Sequence, residues 1–247
     1  MRTLVFTAFV AALAAACGGG EKAAPAPAAP VANPVDPATA GTVTGKVTFM
    51  GTPPPSQTIS MSSDPRCMNA GAKTESVIVA GDGSLQNVFV YVKDGLGNLK
   101  FPVPATPLVL DQKGCQYRPH VFGVQAGQPI EILNSDATLH NIHAWPQTNQ
   151  EFNLGQSVQG MKDTHVFTTQ EVMVPFRCDV HKWMNSFVGV VAHPFFAVTG
   201  ADGSFQLQGL PPGTYTIEAW HEKFGTKTAS VTIGAKESKD VPFTFSG

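Results

Sequence analysis

From residue 41 onward, apolar residues recur at alternate positions in short runs, and the runs are broken by glycine, proline and aspartate. Thr42–Phe49 (TVTGKVTF), Ser76–Ala80 (SVIVA), Asn87–Lys93 (NVFVYVK), Pro129–Leu133 (PIEIL), Phe187–Ala192 (FVGVVA), Ser204–Gln208 (SFQLQ), Thr214–Trp220 (TYTIEAW) and Ala229–Ile233 (ASVTI) are of this kind. Period two in β-branched and aromatic residues marks half-buried strands. The breaks are Gly81-Asp82-Gly83, Pro102–Pro107, Ala126-Gly127-Gln128, Asp202-Gly203 and Pro211-Pro212-Gly213, all turn chemistry. Asp202-Gly203 predicts a tight hairpin, and Gly213 a positive φ after two prolines. With 24 Gly and 20 Pro in 247 residues, long helices have little support. The pattern predicts an all-β fold of sandwich type. A hydrophobic fraction of 43% with net charge -2 excludes a chain disordered throughout. The absence of a basic cluster excludes a nucleic-acid partner.

The first forty residues differ. Arg2 precedes an apolar stretch, Leu4–Ala16, too short to cross a bilayer, and small residues lead into Cys17 and Gly18-Gly19-Gly20. This resembles a bacterial lipoprotein signal, with Ala14 where that family usually has Leu. The resemblance implies removal of residues 1–16, a lipidated Cys17, membrane attachment through the lipid, and a place in the cell envelope. Gly18 rather than Asp after the cysteine points to the outer membrane. Residues 17–40 comprise the lipidated Cys17 and a tether, of which the Ala/Pro-rich stretch Glu21–Ala40 reads as extended and reaching roughly 60 Å.

Ala197–Ile233 holds a strand, an Asp-Gly turn, a second strand, an LPPG turn and a third strand. It resembles the carboxypeptidase regulatory-like module, a small prealbumin-like β-sandwich. Such a module opens with a strand like Gly41–Val47, and Asn87–Gly95 resembles its next strand. A discontinuous sandwich of residues 41–99 plus 195–247 is therefore expected, with residues 100–194 inserted.

The insert concentrates Cys115, His120, His140, His143, His165, Cys178, His181, Met184 and His193. Cys178, His181 and Met184 are spaced three apart, directly before an apolar run. Thiolate, imidazole and thioether together suit copper better than zinc. A mononuclear centre of that kind needs one more histidine, and His140-Asn141 lies upstream in NSDATLHNIHAW. GQPIEILNSDATLHNIH and FRCDVHKWM resemble the strand, His-Asn turn and ligand loop of the cupredoxins, with the short amicyanin-like spacing. The resemblance implies a Greek-key β-sandwich and one type 1 copper ion on His140, Cys178, His181 and Met184. It also implies supporting roles for Asn141 and His143. Val180 stands where many cupredoxins have proline, and Arg177 where many have an aromatic residue. Trp145 and Trp183 are expected to cover the metal edge and offer a surface to a redox partner protein.

With Cys17 assigned to lipid and Cys178 to metal, Cys67 and Cys115 remain. In an oxidising compartment they form either one bridge or two buried thiols. His120 and His193 are expected to be structural, His165 and His221 solvated, and Met161 and Met173 packing residues. No nucleophile elbow, HExxH, P-loop or dinucleotide fingerprint occurs, so no enzyme activity is expected. The expected function is one-electron transfer. The alternatives are copper carriage to a cuproenzyme, or a structural or carbohydrate-binding surface module using exposed aromatics such as Trp220.

Overall fold

The computed structural model describes residues 31–68 and 72–247. The signal segment 1–16, Cys17 and the tether as far as residue 30 lie outside the described residues. The end of the tether is not fully extended. It turns at Asp36, whose Oδ1 accepts the Ala38 amide (2.8 Å), and Thr39 accepts from Lys236 N (3.0 Å).

Strands follow in chain order as β1 (Gly41–Met50), β2 (Phe89–Asp94), β3 (Leu108–Gln112), β4 (Tyr117–Arg118), β5 (Val121–Gln125) and β6 (Pro129–Asn134). Next come β7 (His140–Ala144), β8 (Phe152–Gln156), β9 (Lys162–Val166), β10 (Glu171–Arg177) and β11 (Asn185–Val191). The last are β12 (Phe196–Val198), β13 (Ser204–Leu210), β14 (Gly213–His221), β15 (Gly225–Ile233), β16 (Ser238–Asp240) and β17 (Phe243–Ser246). The all-β expectation holds.

Two sandwiches result, the small one built from both ends of the described chain and the larger one from its middle. In the first, a sheet ordered β13-β1-β16, with β17 also on β1, faces a sheet ordered β12-β2-β14-β15. Alternation supplies its core: β1 buries Val43, Val47 and Phe49, and β14 buries Tyr215, Ile217 and Ala219. In the second, the sheet β5-β11-β10-β7-β8 faces β4-β3-β6-β9 over Leu110, Ile130, Ile132, Ile142, Phe176 and Val188.

Several expectations need correction. Ser76–Ala80 is not a strand; it makes only the isolated bridge Val79↔Leu85. Gly213 starts β14 without a positive φ, whereas Gly209 (φ 78) and the hairpin's Gly203 (φ 70) do carry one. The segment around Met61, Cys67 and Ala72 was grouped by sequence with the first sandwich. It packs instead into the core of the second.

The sandwiches meet through Phe89, Tyr91, Val121 and Val191, with Phe187, Phe196 and Trp220 packed against them. Trp220 is therefore an interface residue, 5.2 Å from Phe187 ring to ring, and not a free aromatic. Gly123 on β5 and Gly189 on β11 make the contact possible, because a Cβ at either would overlap the Phe89 or Phe196 rings.

Candidate metal centre

Strand order brings the expected donors together. His140 opens β7, and Cys178 to Met184 form the loop from β10 to β11. Strand β10 lies between β7 and β11 in one sheet, with Phe176 opposite Ala144 and Arg177 opposite His143. The start of β7 and the β10–β11 loop therefore meet at one end of that sheet. The loop is a tight turn: Met184 N donates to His181 O (2.9 Å) and Cys178 N to Met184 O (3.2 Å). The His181 amide donates to Cys178 Sγ (3.3 Å).

His140, Cys178 and His181 each present one ligand atom, and the three atoms lie within 4.8 Å of one another. All three residues are buried, at 0%, 1% and 2% exposure. Met184 is buried on the same loop and joins Cys178 in the second core. His140 Nδ1 is 3.0 Å from His181 Nδ1. Two unprotonated imidazole nitrogens would repel at that distance, so a proton or a cation must sit between them.

The local electrostatics supply the proton when no metal is bound. Burial pulls the His140 imidazole down, but the Asp136 carboxylate and Cys178 sulfur outweigh it and push its pKa to about 9. Burial holds His181 below the ordinary histidine value, only partly opposed by Asp64. Burial raises the Cys178 thiol, yet the hydrogen bonds from His140 and from nearby backbone amides leave it below the usual range. A protonated His140, a neutral His181 and an acidic thiol around one point form a site in which a soft cation can replace a proton. The donor set fits a copper ion.

Asn141 has the position expected of a loop tie. Its Oδ1 accepts the Asp179 amide (2.7 Å) and faces Cys178 Sγ at 3.3 Å. Its Nδ2 donates to Asn153 Oδ1 (2.7 Å) and Asp179 Oδ2 (3.0 Å). His143 stands outside the donor cluster, between Asp179 (3.0 Å) and Glu151 (2.8 Å). Cys67 and Cys115 form a disulfide with Cα atoms 5.4 Å apart, and Cys178 is a free buried cysteine.

Trp183 donates Nε1–H to Cys115 O (3.0 Å), whereas Trp145 is 46% exposed with the Arg177 guanidinium over its ring. A cleft of about 750 Å³ reaches Cys178 and Met184 and is bordered by both tryptophans. His120 pairs with Glu222 (3.0 Å), and His193 Nε2 donates to Val92 O (2.8 Å). Two histidines expected in solvent are not there. His221 is 1% exposed and stacks on Phe224, and His165 stacks on Phe152 at 3.8 Å.

Sequence reading missed three neighbours of the site. Asp136 and Asp64 accept from the outer nitrogens of His140 and His181, and the Tyr117 hydroxyl donates to the Asn141 carbonyl. The available signals were an aspartate four residues before His140 and an Asp-Pro helix start just before Cys67.

Comparison with known proteins adds the following. Residues 189–246 match the family model of the carboxypeptidase regulatory-like domain. No curated protein matches the chain. Among solved structures, the copper nitrite reductase of Thermus scotoductus SA-01 is 17% identical over 39% of this chain, with TM-score 0.33. This chain spans only 25% of that enzyme. A Cu(I) amicyanin variant is 21% identical over 36% of this chain and 85% of its own length, with TM-score 0.31. A purple cupredoxin from Nitrosopumilus maritimus is 20% identical over 34% and 98%, with TM-score 0.30. Likeness this distant carries no weight beside the donor geometry.

Proposed function

We propose that this chain is an envelope-anchored type 1 copper protein that passes single electrons between redox partner proteins and catalyses no reaction of its own. The observation that carries the reading is the convergence of one ligand atom each from His140, His181 and Cys178 within 4.8 Å of one another in a buried site. Bound copper would supply a one-electron couple. Cys178 would hold the ion as thiolate, His140 and His181 through imidazole nitrogen and Met184 as a weaker thioether donor. Asn141 ties the two ligand-bearing segments, so the donors move little when the charge changes. Complete burial of the three donors favours a resident ion over one handed to another protein. Lipid on Cys17 and the tether would hold the domain near membrane-bound partners.

Titration of the purified protein with Cu(II) tests this. An intense visible thiolate-to-copper band and a one-to-one end point are expected, and Cys178→Ser should abolish the band. A colourless Cu(II) complex, or a band that survives Cys178→Ser, would refute the ligand assignment.

A further inference from the structure

Both imidazoles of the donor set are anchored on their outer nitrogens. His140 Nε2 lies 3.0 Å from Asp136 Oδ2, and His181 Nε2 lies 3.1 Å from Asp64 Oδ2. The anchors are themselves held. Asp136 accepts the amides of Gly114 (2.8 Å) and Cys115 (2.7 Å), and its own amide donates to Asn134 Oδ1 (3.0 Å). Asp64 accepts the Arg66 amide (2.9 Å) and the Thr138 hydroxyl (2.8 Å). Thr138 lies in the turn that carries Asp136, so the two anchors are joined by a hydrogen bond as well as by chain.

A covalent bond completes the circuit. Asp64 caps the short 3-10 helix Pro65–Cys67, and Cys67 is bridged to Cys115, the residue whose amide holds Asp136. Cys67 Sγ itself stands 3.5 Å from His181 Nε2. The segment bearing Asp64 thus lies over the His181 ring, which is why that ring is 2% exposed.

We infer that Asp64 and Asp136 are positioning residues for the metal, held in register by the Cys67–Cys115 bridge, and this rests on the copper reading above. Each carboxylate keeps the proton on Nε2 and so leaves Nδ1 as the donor facing Cys178. Each also adds electron density to its ring, which stabilises Cu(II) more than Cu(I). Loss of either negative charge should therefore raise the reduction potential.

The test compares Asp64→Asn, Asp136→Asn, Asp64→Ala and the control Asp82→Asn, an exposed carboxylate paired with Lys46. Asparagine keeps an oxygen acceptor for Nε2–H while removing the charge and one backbone-amide acceptor, that of Arg66 N at 64 or of Gly114 N at 136. Each asparagine variant at 64 or 136 should keep the visible band and bind Cu(II) about tenfold more weakly. With Cu(I) affinity unchanged, that is a rise of about 59 mV for a one-electron couple. The control should not shift. Cys67→Ser/Cys115→Ser should change the copper hyperfine pattern in paramagnetic resonance; an unchanged pattern would remove the bridge from the inference.

A second readout needs no copper. In the metal-free protein, nitrogen-15 NMR should show slowly exchanging Nε2 protons on both histidines, and Asp64→Ala should lose only that of His181. Unshifted potentials in both asparagine variants would overturn the positioning role while leaving the copper reading intact. A wild-type protein that forms no visible band would sink the copper reading, and the NMR arm would then decide the anchoring by itself. If Asp64→Ala does not fold, Asp64→Asn decides between the same outcomes.

Discussion

Asn141 uses every polar atom of its side chain: two oxygen contacts on the Cys178 turn and two donations to Asn153 and Asp179. Replacement by alanine leaves the Asp179 amide and the Asp179 and Asn153 oxygens short of partners around a buried sulfur. Asn141→Ala should therefore cost about 1–3 kcal/mol of stability, measured by denaturant unfolding of the metal-free protein. It should also broaden the copper resonance spectrum, because the two ligand segments lose their tie. A fully stable variant would show that the tie is redundant. At this scale the sequence was informative where residue type and spacing are rare together, as in Cys178, His181 and Met184. For Asp64 and Asp136 its signals were weak: Asp136 is one aspartate four residues before a histidine, and Asp64 reaches His181 only through the fold. His221 was misread for a different reason. Parity along β14 puts Tyr215, Ile217, Ala219 and His221 on one buried face, so the strand period, once applied, would have placed the ring inside.

At the scale of elements, alternation forecast most of the strand runs that it named, and the exception has a physical cause. Ser76–Ala80 has the composition of a strand, but Val79 finds only a single bridge to Leu85 across the Gly81-Asp82-Gly83 turn. A run without a continuous partner cannot extend its ladder. Neither could alternation show which elements lie across from which. Strand β11 reads as a plain apolar strand, yet Gly189 in it marks the point where the Phe89 ring of the first sandwich enters. Gly189→Ala should overpack that contact and destabilise the protein by about 1–3 kcal/mol in chemical unfolding. Gly155→Ala on β8, where a Cβ would meet open space, is the matched control. Equal stabilities of the two variants would mean that the sandwiches separate easily to admit the methyl group.

At the scale of the whole molecule, three imidazoles outside the donor set are buried among the described residues: His120, which pairs with Glu222, and His193 and His221. His193 ties the end of the second sandwich to β2 of the first through Val92 O. His221, at the end of β14, faces the Phe224 ring, and its Nε2 has no partner among the described residues. Burial lowers both to about 4, from an ordinary value of 6.5. The sign follows from proton counting. Between pH 6.5 and 4 the unfolded chain holds protons on these rings that the folded chain does not, so acid favours unfolding. Their contribution to stability is complete above about pH 6.5 and is lost as pH falls toward 4, at about 1.4 kcal/mol per pH unit for each ring. His140 is raised and Cys178 lowered, so the two are opposite in the sign of their proton exchange on folding. Metal-free protein should show a steep acid limb below about pH 6.5. The double variant His193→Gln/His221→Gln should lose most of that limb while being less stable at pH 7. A wild-type limb that persists unchanged in the double variant would assign the acid sensitivity to the other lowered groups, His165 and His181 or the paired carboxylates.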